Sequence, residues 1–93
     1  MDTVVLDGRR LRRKEAAHAY LKKKLSFPDY YGGNLDALYD CLTDVSAQTE
    51  IVVKYTRALR RSPDGYGESL AMTLLDASRD NPNLYIVFLD SWH

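Results

Sequence analysis

Leu84-Tyr85-Ile86-Val87-Phe88-Leu89 is the most strongly apolar run in the sequence, six residues of β-branched, aromatic and aliphatic type. Such residues fit a pleated, packed surface, and a continuous apolar run predicts a strand buried on both faces, as in parallel sheets. Asn81-Pro82-Asn83, just ahead of it, stops whatever helix precedes. Leu70, Leu74 and Ala77 mark the buried stripe of that helix, which spans residues 66–79. Upstream again, Ser62-Pro63-Asp64-Gly65 is a turn cluster, residues 57–61 suit a short helix, and Ile51-Val52-Val53-Lys54-Tyr55 is a second strand.

The N-terminal half completes the pattern. Thr3-Val4-Val5-Leu6 reads as a strand closed by the turn pair Asp7-Gly8. A helix begins near Arg13, with Ala17, Leu21 and Leu25 on one stripe and lysines opposite, and Pro28 is expected to end it. Tyr30-Tyr31-Gly32-Gly33 is a loop, and Asn34 is the N-cap of a further helix to Thr43. Its capping box is incomplete, because Ala37 stands where a glutamate would close it. Strands separated by helices predict an α/β fold, a three-stranded parallel sheet with three to four helices and right-handed crossovers. The order of strands in the sheet is left open.

A length of 93 residues predicts one domain over residues 1–93. The composition, 45% hydrophobic and 28% charged, is that of a folded domain rather than a disordered tail. No apolar run approaches the ~20 residues of a membrane span, and the N-terminus lacks a signal peptide's apolar stretch. Cys41 is the only cysteine, so no internal disulfide forms and a secreted disulfide scaffold is excluded. A cytoplasmic location is expected, with no membrane association.

The net charge is zero, yet the charges are segregated. Residues 1–24 hold eight bases and three acids, whereas the stretch from Asp29 to Glu50 holds five acids and no base. On the helix after Asn34, Leu38, Leu42 and Val45 share one face with Leu35. Asp36, Asp40 and Asp44 fall within a strip about 80° wide on the other. Tyr39 lies on the border. Like charges at i, i+4 disfavour a helix by ~0.2–0.5 kcal/mol per pair. Asp36 benefits from the dipole in the first turn, but Asp40 and Asp44 have no lysine or arginine three or four residues away. An ordinary solvated face explains the strip. So does a binding edge whose countercharge comes from a cationic partner.

Leu25-Ser26-Phe27-Pro28-Asp29-Tyr30-Tyr31-Gly32-Gly33-Asn34-Leu35-Asp36-Ala37-Leu38-Tyr39-Asp40-Cys41-Leu42 resembles the barstar family, intracellular inhibitors of barnase-type ribonucleases. Weaker similarity runs through Val4-Val5-Leu6-Asp7-Gly8, Gly67-Glu68-Ser69 and the closing strand. The resemblance implies a barstar-like α/β domain that is not an enzyme. It implies a 1:1 complex with a cationic secreted ribonuclease, plugged by the acidic helix and the loop before it. Asp40 would occupy the place of a substrate phosphate, and Asp36 would meet a cation at the rim. Tyr30 would stack near the nuclease's catalytic histidine, and Tyr39 would fill an aromatic contact position. Asp76 would reach a partner arginine, with Asp80 a weaker candidate. Asn34, at the start of the acidic helix, and Asp44, which lies outside the resemblance and is taken from the acid strip, complete the expected contact set.

This chain departs from the family in four respects. Tyr39 replaces a frequent tryptophan, Asp76 replaces a longer glutamate, Asp44-Val45 replaces Gly-Trp, and the chain is neutral where the family protein is acidic.

Other chemistry finds little footing. Cys41 has no histidine placed as a base and is expected to be a buried structural thiol. His18 is expected to be packed or at the surface, and His93 to be a mobile terminal residue. No metal-ligand spacing and no cofactor motif occur, and Gly32-Gly33 lacks the lysine and preceding strand of a phosphate loop. The basic run Arg9-Arg10-Leu11-Arg12-Arg13-Lys14 supports an alternative, a nucleic-acid-binding or regulatory module. It has no interleaved aromatics, so direct nucleic-acid binding is not expected and a solvated helix start suffices.

Overall fold

The computed structural model describes residues 1–90, and His93 lies outside them. In chain order the elements are β1 (Asp2–Asp7), a 3-10 turn (Gly8–Arg10), α1 (Lys14–Lys24), α2 (Leu35–Thr43), β2 (Thr49–Lys54), α3 (Thr56–Arg60), α4 (Tyr66–Asp80) and β3 (Leu84–Phe88). The fold is α/β, with a parallel sheet in the order β1-β2-β3. Val4, Ile51 and Ile86 stand side by side across the three strands, as do Leu6, Val53 and Phe88.

These residues face the helices. Leu6, Ile51, Val53 and Leu84 from the sheet pack with Ala17 and Leu21 of α1, Leu38 and Leu42 of α2, Leu59 of α3 and Leu70, Leu74 and Ala77 of α4 in one buried cluster. Each fully buried leucine contributes roughly 1.5–3 kcal/mol through the apolar surface it removes from water. The opposite face of the sheet is not covered in this way. Val5 is 42% and Tyr85 44% exposed, and Val52 and Val87 are half-buried. The expectation of burial on both faces is therefore corrected. Consecutive parallel strands joined by right-handed crossovers place every helix on the same side, so no helix reaches the other. The row Val5-Val52-Val87 is apolar because neighbouring strands pack laterally.

Two local details also differ from expectation. Helix α1 ends at Lys24, not at Pro28. Ser26 adopts a left-handed φ of 55°, and the Phe27 N–H bonds back to the Lys22 carbonyl at 3.0 Å, a Schellman closure that stops the helix before the proline acts. Arg9 and Arg10 belong to the 3-10 turn rather than to a helix start. At Gly8 a side-chain carbon would lie 2.6 Å from the carbonyl oxygens of both Lys54 and Tyr55, so only glycine lets the exits of β1 and β2 approach this closely.

Candidate functional site

The loop before α2 is organised by two tyrosines with different fates. A backbone bond from Tyr31 N–H to the Pro28 carbonyl, 3.0 Å, closes the turn. Tyr30 then projects outward, 88% exposed. Tyr31 turns inward, its ring 4.8 Å from that of Phe27 and its hydroxyl 2.6 Å from His18 Nδ1. Gly33 takes a φ of 66°, which a side chain would oppose, and delivers the chain to Asn34 in extended conformation. Asn34 Oδ1 accepts the Ala37 N–H at 2.7 Å and so caps α2. Asn34 thus orients the helix, whatever further contact it makes.

Along α2, Leu38 and Leu42 are buried and Asp36, Asp40 and Asp44 are exposed. Among the described residues, none of these three carboxylates has a side-chain hydrogen bond or ion pair within the chain. Three unpaired negative charges therefore stand on the outer face of an ordered helix, with Tyr30 exposed on the loop ahead. The C-terminal end of α2 is held from a distance. Asn81, 4% exposed, donates its side-chain N–H groups to the carbonyls of Leu42 and Val45, each at 2.9 Å.

Tyr39 is half-buried, and its hydroxyl donates to Asp80 at the end of α4. That bond pushes the phenol's pKa up, aided by burial and by the charges of Asp80, Asp76 and Asp40. Tyr39 is thus the point where the acids of α2 and α4 come together. Asp76 is engaged by Arg79 one turn later on α4. Of the expected contact residues, Tyr30, Asp36, Asp40 and Asp44 have no side-chain bond among the described residues, whereas Tyr39 and Asp76 are already bonded within the chain. Asp80, the weaker candidate, is the acceptor for Tyr39.

Cys41 is half-buried rather than buried. It lines a groove with Phe27, Pro28, Tyr30 and Asp44. Burial, then the charges of Asp44 and Asp40, raise its pKa, which keeps the sulfur protonated and poorly nucleophilic. Among the described residues no three His, Cys, Asp or Glu side chains are placed to hold a metal ion. Among the described residues, no helix is long and apolar enough to cross a membrane.

A family model described as Barstar (barnase inhibitor) matches residues 1–90. The chain belongs to the Barstar family. A curated Bacillus subtilis (strain 168) protein, "Putative ribonuclease inhibitor YrdF", is 58% identical over 43 residues, 46% of this chain and 47% of that protein. The match therefore spans about half the length of each. The parallel three-stranded sheet with four helices accords with the Barstar fold.

Sequence reasoning missed three features of the site. His18 bridges Tyr31 and Tyr66, with Nδ1 and Nε2 each 2.6 Å from a hydroxyl. Tyr39 is tied to Asp80, and Asn81 clamps α2. Each joins residues far apart in sequence, and no local spacing signals them.

Proposed function

We propose that this Barstar-family chain is a ribonuclease inhibitor whose α2 and preceding loop plug the active site of a cationic, secreted, barnase-type nuclease in a 1:1 complex. The observation that carries this reading is the set of unpaired exposed carboxylates, Asp36, Asp40 and Asp44, on one face of α2 beside the exposed Tyr30. A ribonuclease must hold a phosphate, so its site concentrates arginine, lysine and histidine. A carboxylate on a pre-ordered helix reproduces some of the phosphate's charge-assisted hydrogen bonds. Little conformational entropy is lost on docking, and complementary fields speed encounter. The chain acts by occupancy, not catalysis, and the cytoplasm is where it would protect the producing cell.

Asp40 takes the phosphate position, Asp36 and Asp44 meet flanking cations, and Tyr30 stacks on the nuclease surface. Tyr39 and Asp76 lie at the edge, and Asn34 holds the helix start. The test is titration of the chain into a guanyl-specific microbial ribonuclease, reading RNA cleavage. Expected is stoichiometric inhibition that weakens with added salt. Asp40→Ala is expected to weaken binding at least about tenfold, the loss of a charged hydrogen bond, with an unchanged melting temperature. Undiminished inhibition by Asp40→Ala would remove Asp40 from the interface.

A further inference from the structure

All three strand exits converge on one cleft. Arg12 lies in the segment leaving β1. Tyr55, Arg57, Ala58 and Arg61 follow β2, and Asp90 follows β3. The cleft they line holds about 430 Å3, within the ~300–1,000 Å3 range of small-ligand sites. Among the described residues that line it the charge is unbalanced: three guanidinium groups share one carboxylate. That carboxylate is already engaged, because Asp90 accepts a bond from the Thr56 hydroxyl and lies 4.0 Å from Arg57 Nε.

Arg12 is unlike a solvated surface arginine. It is half-buried, and its Nη2 donates to the Arg61 carbonyl at 3.0 Å. Its Nε is buried without a hydrogen-bond partner. A buried donor on a charged group left without a partner is unfavourable, which sets this guanidinium apart from a solvated one. The neighbouring bases are otherwise engaged. Arg9 is paired with Asp7 and lies over the Tyr55 ring, and Arg10 lies over Tyr20. Arg61 has no side-chain partner among the described residues, and Arg57, beside Asp90, and Arg12, braced on the Arg61 carbonyl, keep further N–H groups at the same cleft.

We propose that this cleft is a binding site for a phosphate group, borne by inorganic phosphate or by a nucleoside monophosphate. Guanidinium groups present planar forks of donors that match a tetrahedral oxyanion, and their bonds to it are short and charge-assisted. One fork is already braced by a backbone carbonyl, so less freedom is lost on binding. No residue of the site lies on α2, and the inference stands apart from the inhibitor reading.

The test is an NMR titration of the full chain with sodium phosphate and, separately, with a nucleoside 5′-monophosphate, ionic strength being held constant with sodium chloride. Saturable amide shifts centred on Arg12 and residues 55–61 are expected. Equal affinity for both probes identifies the phosphate alone as the ligand, and tighter binding of the nucleotide identifies the nucleotide as its source. Arg57→Gln, a mostly exposed side chain, is expected to weaken binding roughly tenfold, the loss of a charged hydrogen bond, without altering the melting temperature. Arg12→Gln, which also loses the brace to Arg61, should abolish saturation. Shifts spread equally over Lys22, Lys23 and Lys24, no saturable shift with either probe, or unchanged affinity in Arg57→Gln would each overturn the proposal.

Discussion

At residue 18 the fold buries an imidazole between two phenols. His18 is 3% exposed, and both ring nitrogens are bonded, one to Tyr31 and one to Tyr66. Burial, reinforced by the charge of Lys14 and opposed by that of Glu15, lowers its pKa from the ordinary 6.5. Burial likewise pushes up the pKa of both tyrosines, so each keeps its proton. A neutral imidazole then donates to one hydroxyl and accepts from the other. Protonation turns the second bond into a clash of donors unless that hydroxyl rotates. The folded state binds this proton less readily than the unfolded chain. Stability contributed by neutral His18 is therefore complete above about pH 6.5 and is lost as pH falls from there through the lowered folded-state value. Urea unfolding followed from pH 8 to pH 5 should show that decline, and His18→Gln should flatten it. An equal slope in both proteins would place the acid sensitivity elsewhere. The role was hidden in the sequence because its partners lie 13 and 48 residues away.

At the scale of the element, α2 is a helix of nine residues, too short to persist alone in water. It is held at both ends by asparagines. Asn34 satisfies an N-terminal N–H and Asn81 satisfies C-terminal carbonyls. Replacing Asn34 by alanine is expected to cost about 1 kcal/mol. Asn81→Ala removes the side-chain donor of the Val45 carbonyl and one of the donors of the buried Leu42 carbonyl, and should cost about 1–3 kcal/mol, read from the shift of the urea midpoint. Hydrogen exchange should quicken most in the last turn of α2. The N-cap was legible, because a cap and its N–H lie three residues apart. Asn81 read only as the stop of α4, since its acceptors, Leu42 in α2 and Val45 just beyond it, lie 39 and 36 residues upstream.

For the whole molecule, a single buried cluster joins all four helices to the sheet. A cavity at its centre should be felt throughout. Leu74→Ala is expected to lower stability by about 2–5 kcal/mol, with helical circular dichroism and aromatic signals lost in one coincident transition. Separate transitions would show that the layers unfold independently. Charge is also distributed at this scale. Asp36, Asp40, Asp76 and Asp80 belong to α2 and α4 and Asp44 caps α2, whereas Arg12, Arg57 and Arg61 gather beyond the strand exits.

The sequence by itself determined the strand-and-helix alternation, the parallel class, the acid strip of α2, its N-cap and the resemblance to the Barstar family. These rest on spacings of one to four residues or on an ungapped run, which the chain carries wherever it folds. Only the tertiary structure decided that the sheet runs β1-β2-β3 with helices on one face. It alone brought His18 between two tyrosines, Tyr39 to Asp80, Asn81 to the end of α2, and three arginines to one cleft. Those contacts depend on how the crossovers pack the elements together, and short-range periodicity carries no record of partners dozens of residues apart.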